Sequence, residues 1–147
     1  MCLVSLSNVS KIYGKDENKV IALDNVSVDF EKGEFVAIIG TSGSGKSTLL
    51  HMIGGVDRVT EGEVKIDGAI INKLREKELS VLRRRKLGFV FQFFNLVPVL
   101  NVRENIELPI LLDNKKVDDD YINELISLLK LDGKELSLPG QLSGGQQ

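Results

Sequence analysis

An intrachain disulfide is excluded by count: Cys2 is the only cysteine among these residues and reads as a bystander thiol. No apolar run approaches the roughly eighteen residues that a membrane-spanning helix needs. The opening residues, Met1-Cys-Leu-Val-Ser-Leu-Ser7, have neither the basic start nor the long apolar stretch of a secretory leader. Charge of one sign is missing too. Nineteen basic residues stand against twenty-one acidic ones, a net −2, so nothing draws the chain to nucleic acid in bulk. There is no internal repeat and no low-complexity tract. These absences lead us to expect a soluble, cytoplasmic protein, and 147 residues suit one domain with a real core.

What is present is organised around Gly40-Thr-Ser-Gly-Ser-Gly-Lys-Ser-Thr48, which fits the phosphate-loop pattern G-x-x-x-x-G-K-S/T through Gly40, Gly45, Lys46 and Ser47. The apolar run Glu34–Ile39 before it reads as a buried strand, and Thr48–Ile53 after it as the first turns of a helix. Glycines at 43 and 45 let the backbone wrap a phosphate and aim several N–H groups at it, with Thr41, Ser42 and Ser44 filling the loop. The helix start adds unpaired N–H groups and partial positive charge. Lys46 can reach β- and γ-phosphates, and the Ser47 hydroxyl suits Mg²⁺. This pattern predicts nucleoside triphosphate binding.

The remainder reads as punctuated strands and helices. Val4, Leu6 and Val9 suggest a first strand running out near Tyr13-Gly14, followed by a charged hairpin-like loop over residues 15–19. Val26, Val28 and Phe30 alternate as in a half-buried strand, so a small antiparallel sheet precedes the α/β unit. Val64 and Ile66 mark another strand, and residues 76–85 a short helix with a basic end. That end, Arg83–Lys86, suits either an acidic or lipid partner or, as the simpler reading, a solvated helix terminus. His51 reads as a plain helix residue. Leu87–Phe91 reads as a fully buried strand stopping at Gln92, and Phe93–Pro98 as a loop with exposed apolar residues. Asn101 and Glu104 have capping-box spacing, Pro109 should end or kink the helix they start, and Asp118–Asp120 cap a helix with Ile122, Leu125, Ile126 and Leu129 on one face.

The last residues, Leu142-Ser-Gly-Gly-Gln146, following a phosphate loop, the Gln92 loop and Tyr13 in order, closely resemble the signature of ATP-binding-cassette (ABC) ATPases. The resemblance covers the whole chain. It implies an α/β P-loop NTPase of ABC type, with an antiparallel β region over 1–33, a partial RecA-like core over 34–92 and a helical subdomain over 93–147. It also implies ATP and Mg²⁺ as cofactors. Tyr13 takes the place of the aromatic that stacks on adenine, and Gln92 that of the glutamine that completes the Mg²⁺ shell and senses the γ-phosphate. Ser143 can cap a helix, while Gly144, Gly145 and Gln146 complete a signature that faces the γ-phosphate held by a second subunit in a head-to-tail dimer. Phe93, Phe94, Leu96 and Val97 would suit docking by a membrane-spanning permease, placing the chain at the inner face of the cytoplasmic membrane. Residues 49–58 and 88–98 look like the branch that holds macrolide exporters, lipoprotein release and antimicrobial-peptide efflux.

The sequence also departs from the family pattern. The Mg²⁺-binding aspartate (Walker B), the water-activating glutamate, the D-loop and the switch histidine all follow the signature in ABC domains, and none is among these residues. The expectation is therefore an ABC-type ATPase subunit driving export, truncated here, with little turnover and an unpaired central sheet edge in the isolated chain. The alternative is a non-catalytic nucleotide-binding or interaction module that pairs with a complete ABC subunit. Soluble ABC ATPases of translation or DNA repair form a minor third class.

Overall fold

The computed structural model describes residues 2–147; Met1 lies outside the described residues. The chain divides into two compact units, one running to Leu87 and one from Gly88 to Gln147.

The first unit is built on a long antiparallel hairpin. Strand β1 (Cys2–Tyr13) pairs with β2 (Val20–Glu31), from Cys2 opposite Glu31 to Tyr13 opposite Val20, and a single 3-10 turn at Asp16–Asn18 closes it. Along β2, residues 26–31 alternate between half-buried and exposed, the period expected of a sheet with one covered face. Strand β3 (Glu61–Ile66) pairs with the other edge of β1, Leu6 opposite Val64, and the short β4 (Ala69–Ile70) follows it. The sheet order is β2-β1-β3-β4. Its covered face receives two helices, α1 (Lys46–Ile53) and α2 (Glu76–Lys86). Leu6, Val9, Leu23, Val64 and Ile66 from the strands enclose Met52 of α1 and Leu79 of α2. Each fully buried apolar side chain of this kind is worth roughly 1.5–3 kcal/mol over its exposed state.

The basic end of α2 is tied into its own unit. Arg83 donates to the Gly55 carbonyl at 2.6 Å and to Glu76 Oε1 at 2.7 Å, and Lys86 donates to Asp67 Oδ2 at 2.7 Å.

The second unit packs α3 (Val102–Leu112) against α4 (Asp119–Leu128) around Val102, Ile122, Ile126 and Leu131. The capping box forms as the spacing predicts: Asn101 Oδ1 accepts from the Glu104 N–H at 2.9 Å, and Glu104 Oε2 accepts from the Asn101 N–H at 2.8 Å. Asp118 caps α4 by accepting from the Tyr121 N–H.

Several local expectations are corrected. Residues 34–39 and 87–91 are not strands, and Phe35, Ile39 and Val90 are almost wholly exposed. An apolar run states a need for burial, but a central strand also needs neighbours to take its N–H and C=O groups. No described strand runs beside either segment. Pro109 does not end α3, which continues to Leu112; its missing N–H removes one rung of the ladder without stopping the helix. Leu129 caps α4 and is 58 % exposed, so the apolar face is carried by Ile122, Ile126 and the half-buried Leu125. In the loop after Gln92, Phe93 and Phe94 are exposed as expected, but Leu96 and Val97 are half-buried. The Asn105 side chain explains that difference: its Oδ1 accepts from the Val97 N–H and its Nδ2 donates to the Val97, Leu100 and Asn101 carbonyls, drawing this end of the loop onto α3.

Candidate nucleotide site

Residues 40–45 form a turn-rich loop that delivers the chain into α1, which starts at Lys46, two residues earlier than the sequence suggested. The intrahelical ladder opens with the Leu49 N–H on the Gly45 carbonyl at 2.8 Å. That leaves the N–H groups of Lys46, Ser47 and Thr48 ahead of the ladder at the positive end of the helix dipole. No acidic side chain occupies this first turn.

Gly45 holds the junction in a left-handed conformation, φ +87°, close against the backbone of β2. Gly43 is also left-handed, φ +81°, but nothing lies where its Cβ would be. Lys46 folds back over the loop: Nζ donates to the carbonyls of Gly40 at 3.0 Å and Thr41 at 2.6 Å, and to Ser44 Oγ at 3.3 Å. A cation is thereby held on the loop carbonyls beside the open N–H groups at the start of α1, an arrangement that suits a polyanion. Thr41, Ser42 and Ser47 are exposed, and Thr48 is half-buried on α1.

Tyr13, at the end of β1, is 40 % exposed. Its hydroxyl donates to Asp57 Oδ2 at 2.9 Å, and the Lys11 ammonium lies 4.7 Å from the centre of its ring. Lys11 also donates to Asp57 Oδ1 at 2.9 Å and to the Arg58 carbonyl at 2.7 Å. Burial would raise the Asp57 carboxyl, but hydrogen bonds from Lys11, Tyr13 and the Arg58 N–H outweigh it and hold the group below the usual aspartate range. Burial pushes the Tyr13 phenol up, the hydrogen bond and charge of Asp57 add to that, and the Thr48 hydroxyl opposes them. Sequence reading missed Asp57 and Lys11. They meet across 46 residues of chain, and neither has a local pattern to reveal it.

The remaining candidate residues belong to the second unit. Gln92 is exposed in a bend. At the signature, Gln146 Oε1 accepts from the Ser143 N–H at 3.0 Å, while the Ser143 carbonyl accepts from the Gln146 and Gln147 N–H groups. This is the backbone half of a cap at Ser143, with Gly144 and Gly145 exposed in the turn. Leu142 packs against the α3–α4 core.

A glycine-wrapped loop ahead of a helix, with a lysine over it, defines a phosphate-binding-loop protein. Comparison with known proteins narrows the class. Residues 23–147 match the family model described as ABC transporter, and the chain belongs to that family. It is 46 % identical over 149 residues to the macrolide export ATP-binding/permease protein MacB of Mannheimia succiniciproducens, covering 100 % of this chain and 23 % of that protein. It is 44 % identical to the uncharacterized ABC transporter ATP-binding protein MJ0796 of Methanocaldococcus jannaschii, covering 99 % of this chain and 64 % of the relative. A dimeric structure of the MJ0796 cassette in a post-hydrolysis state with ADP and Pi superposes with a TM-score of 0.87 at 44 % identity, over 98 % of this chain and 65 % of that one. The chain thus spans just under two-thirds of the MJ0796 cassette and about a quarter of MacB.

Proposed function

We propose that this chain is the ATP-binding part of an ABC transporter, coupling ATP binding and hydrolysis to export across the cytoplasmic membrane. The observation that carries the reading is the loop geometry: N–H groups at the start of α1, a left-handed Gly45 and a lysine whose three donors already bridge the loop. Family membership and the likeness to macrolide exporters support it further.

In this reading the loop from Gly40 to Gly45 wraps the phosphates, and Lys46 stabilises charge on the β- and γ-oxygens. The Ser47 hydroxyl is an oxygen donor of the kind Mg²⁺ takes, and the Gln92 amide oxygen is another; Mg²⁺ held by such a group would neutralise phosphate charge. Tyr13 stacks on the adenine. Ser143 offers a hydroxyl, and Gly144 and Gly145 their N–H groups, to the γ-phosphate of a second cassette in a head-to-tail dimer, with Gln146 closing the turn against Ser143. The solved MJ0796 dimer is consistent with that partner. The exposed Phe93 and Phe94 suit contact with a permease, which would hold the chain at the inner membrane face.

The test is Mg-ATP binding and turnover in the protein assembled with its membrane partner, with Lys46→Ala as control. ATP binding that survives Lys46→Ala undiminished overturns the reading. Lys46-dependent binding with no turnover in the assembled transporter leaves a binding module and removes the hydrolytic part.

A further inference from the structure

The Lys11–Tyr13–Asp57 cluster has more structure than a stacking platform alone requires. A tyrosine at the end of a strand could turn about its side-chain bonds and present its ring at many angles. Here three contacts fix it. The hydroxyl is held by Asp57 Oδ2 at 2.9 Å, Asp57 Oδ1 is held by Lys11 at 2.9 Å, and the Lys11 ammonium covers one ring face at 4.7 Å. Lys11 is itself anchored on the Arg58 carbonyl, and its side chain is only 11 % exposed. Asp57 in turn belongs to the turn that ends α1, with the Val56 N–H on the His51 carbonyl at 3.0 Å. The ring is thus tied through Asp57 to the helix that starts at the phosphate loop.

We propose that Asp57 and Lys11 are positioning residues for nucleotide recognition: they lock the Tyr13 ring so that one face is closed by a cation and the other is offered to the purine. The proposal rests on the reading of Tyr13 as the base-stacking residue. The physical gain has two parts. A ring already fixed loses less side-chain entropy when the base arrives. The ammonium also draws π-electron density toward its own side, leaving the open face less negative toward an electron-rich purine.

The experiment compares two ligands in the full protein: Mg-ATP, which carries a base, and Mg-tripolyphosphate, which does not. Asp57→Asn and Lys11→Met should each weaken ATP about tenfold, a modest part of what base–aromatic stacking can supply. Both should hold tripolyphosphate within about twofold. Tyr13→Phe, which keeps the ring but frees it from Asp57, should follow Asp57→Asn. Because the chain has no tryptophan, Tyr13→Trp provides a reporter of its own, quenched by ATP and not by tripolyphosphate. ATP affinity unchanged in Asp57→Asn, with Tyr13→Ala still impaired, overturns the positioning role while stacking stands. Equal loss of both ligands in Asp57→Asn also overturns it, as the mark of a purely structural ion pair. ATP affinity unchanged in Tyr13→Ala removes the stacking reading and the proposal with it.

Discussion

A Cβ on Gly45 would stand 2.4 Å from the carbonyl oxygen of Ala22 in β2. The phosphate loop is thus seated on the antiparallel sheet at a point where only a glycine fits. Gly45→Ala meets two penalties, a left-handed φ of +87° and this overlap with backbone that cannot turn aside. It should lose at least about 2 kcal/mol of stability. Gly43→Ala, left-handed but with open space around it, should lose about 1 kcal/mol. Urea denaturation of the two variants measures the difference, and equal losses would show that the contact with Ala22 yields.

Lys46 separates binding from folding. Its three bonds to the loop are to exposed groups, so Lys46→Met should change stability by less than about 1 kcal/mol. Removing charge-assisted bonds to phosphate should weaken ATP by about ten- to a hundredfold. Titration calorimetry with ATP and with tripolyphosphate should show similar losses if, as proposed, the lysine lies over the phosphates and away from the base. A loss confined to ATP would place Lys46 elsewhere than over the phosphates.

The ion pair at Asp57 makes a signed prediction in acid. Its carboxyl is held below the ordinary aspartate value of 3.8, so the folded state binds its proton less readily than the unfolded chain does. Its contribution is complete above about pH 4 and is lost as pH falls through the folded value. The stability gap between wild type and Asp57→Asn should therefore be constant from neutral pH to about pH 5 and shrink below about pH 4. Tyr13 behaves oppositely at the alkaline end. Its phenol is raised above 10.0, so that contribution is complete below pH 10 and fades as pH climbs through the folded value. Urea midpoints across pH for wild type, Asp57→Asn and Tyr13→Phe read both limbs.

Local chemistry was legible where a pattern carries its own mechanism. The glycine-rich loop that opens into a helix, the Asn101–Glu104 cap and the alternating residues of β2 each state in a few positions what local structure they form, and that structure is present. Residues 34–39 and 87–91 were misread because apolar composition reports only a demand for burial, while strand identity depends on which neighbours supply hydrogen bonds. Pro109 does not end α3, where the packing of Val102, Ile106 and Ile110 against the core shared with α4 offsets the lost rung. The contacts of Asp57 were invisible for the plainest reason: its partners are 46 and 44 residues away.

The second unit gives a prediction about the signature. Ile122 of α4 is fully buried among Val102, Ile126 and Leu131, with Leu142 of the signature packed against the same cluster. Ile122→Ala removes three carbons from a site bounded by two helices, and should lose about 2–5 kcal/mol. Leu128, on the same helix but 74 % exposed, should change stability by less than about 0.5 kcal/mol as alanine. The two losses are read by hydrogen exchange of the α3 and α4 amides. Exchange at Gln146 and Gln147, whose N–H groups rest on the Ser143 carbonyl, should accelerate in Ile122→Ala and not in Leu128→Ala. If those two amides keep their protection while α4 opens, the signature turn is held by its own bonds, Gln147 to the Pro139 carbonyl at 2.7 Å among them, and not by the helical core.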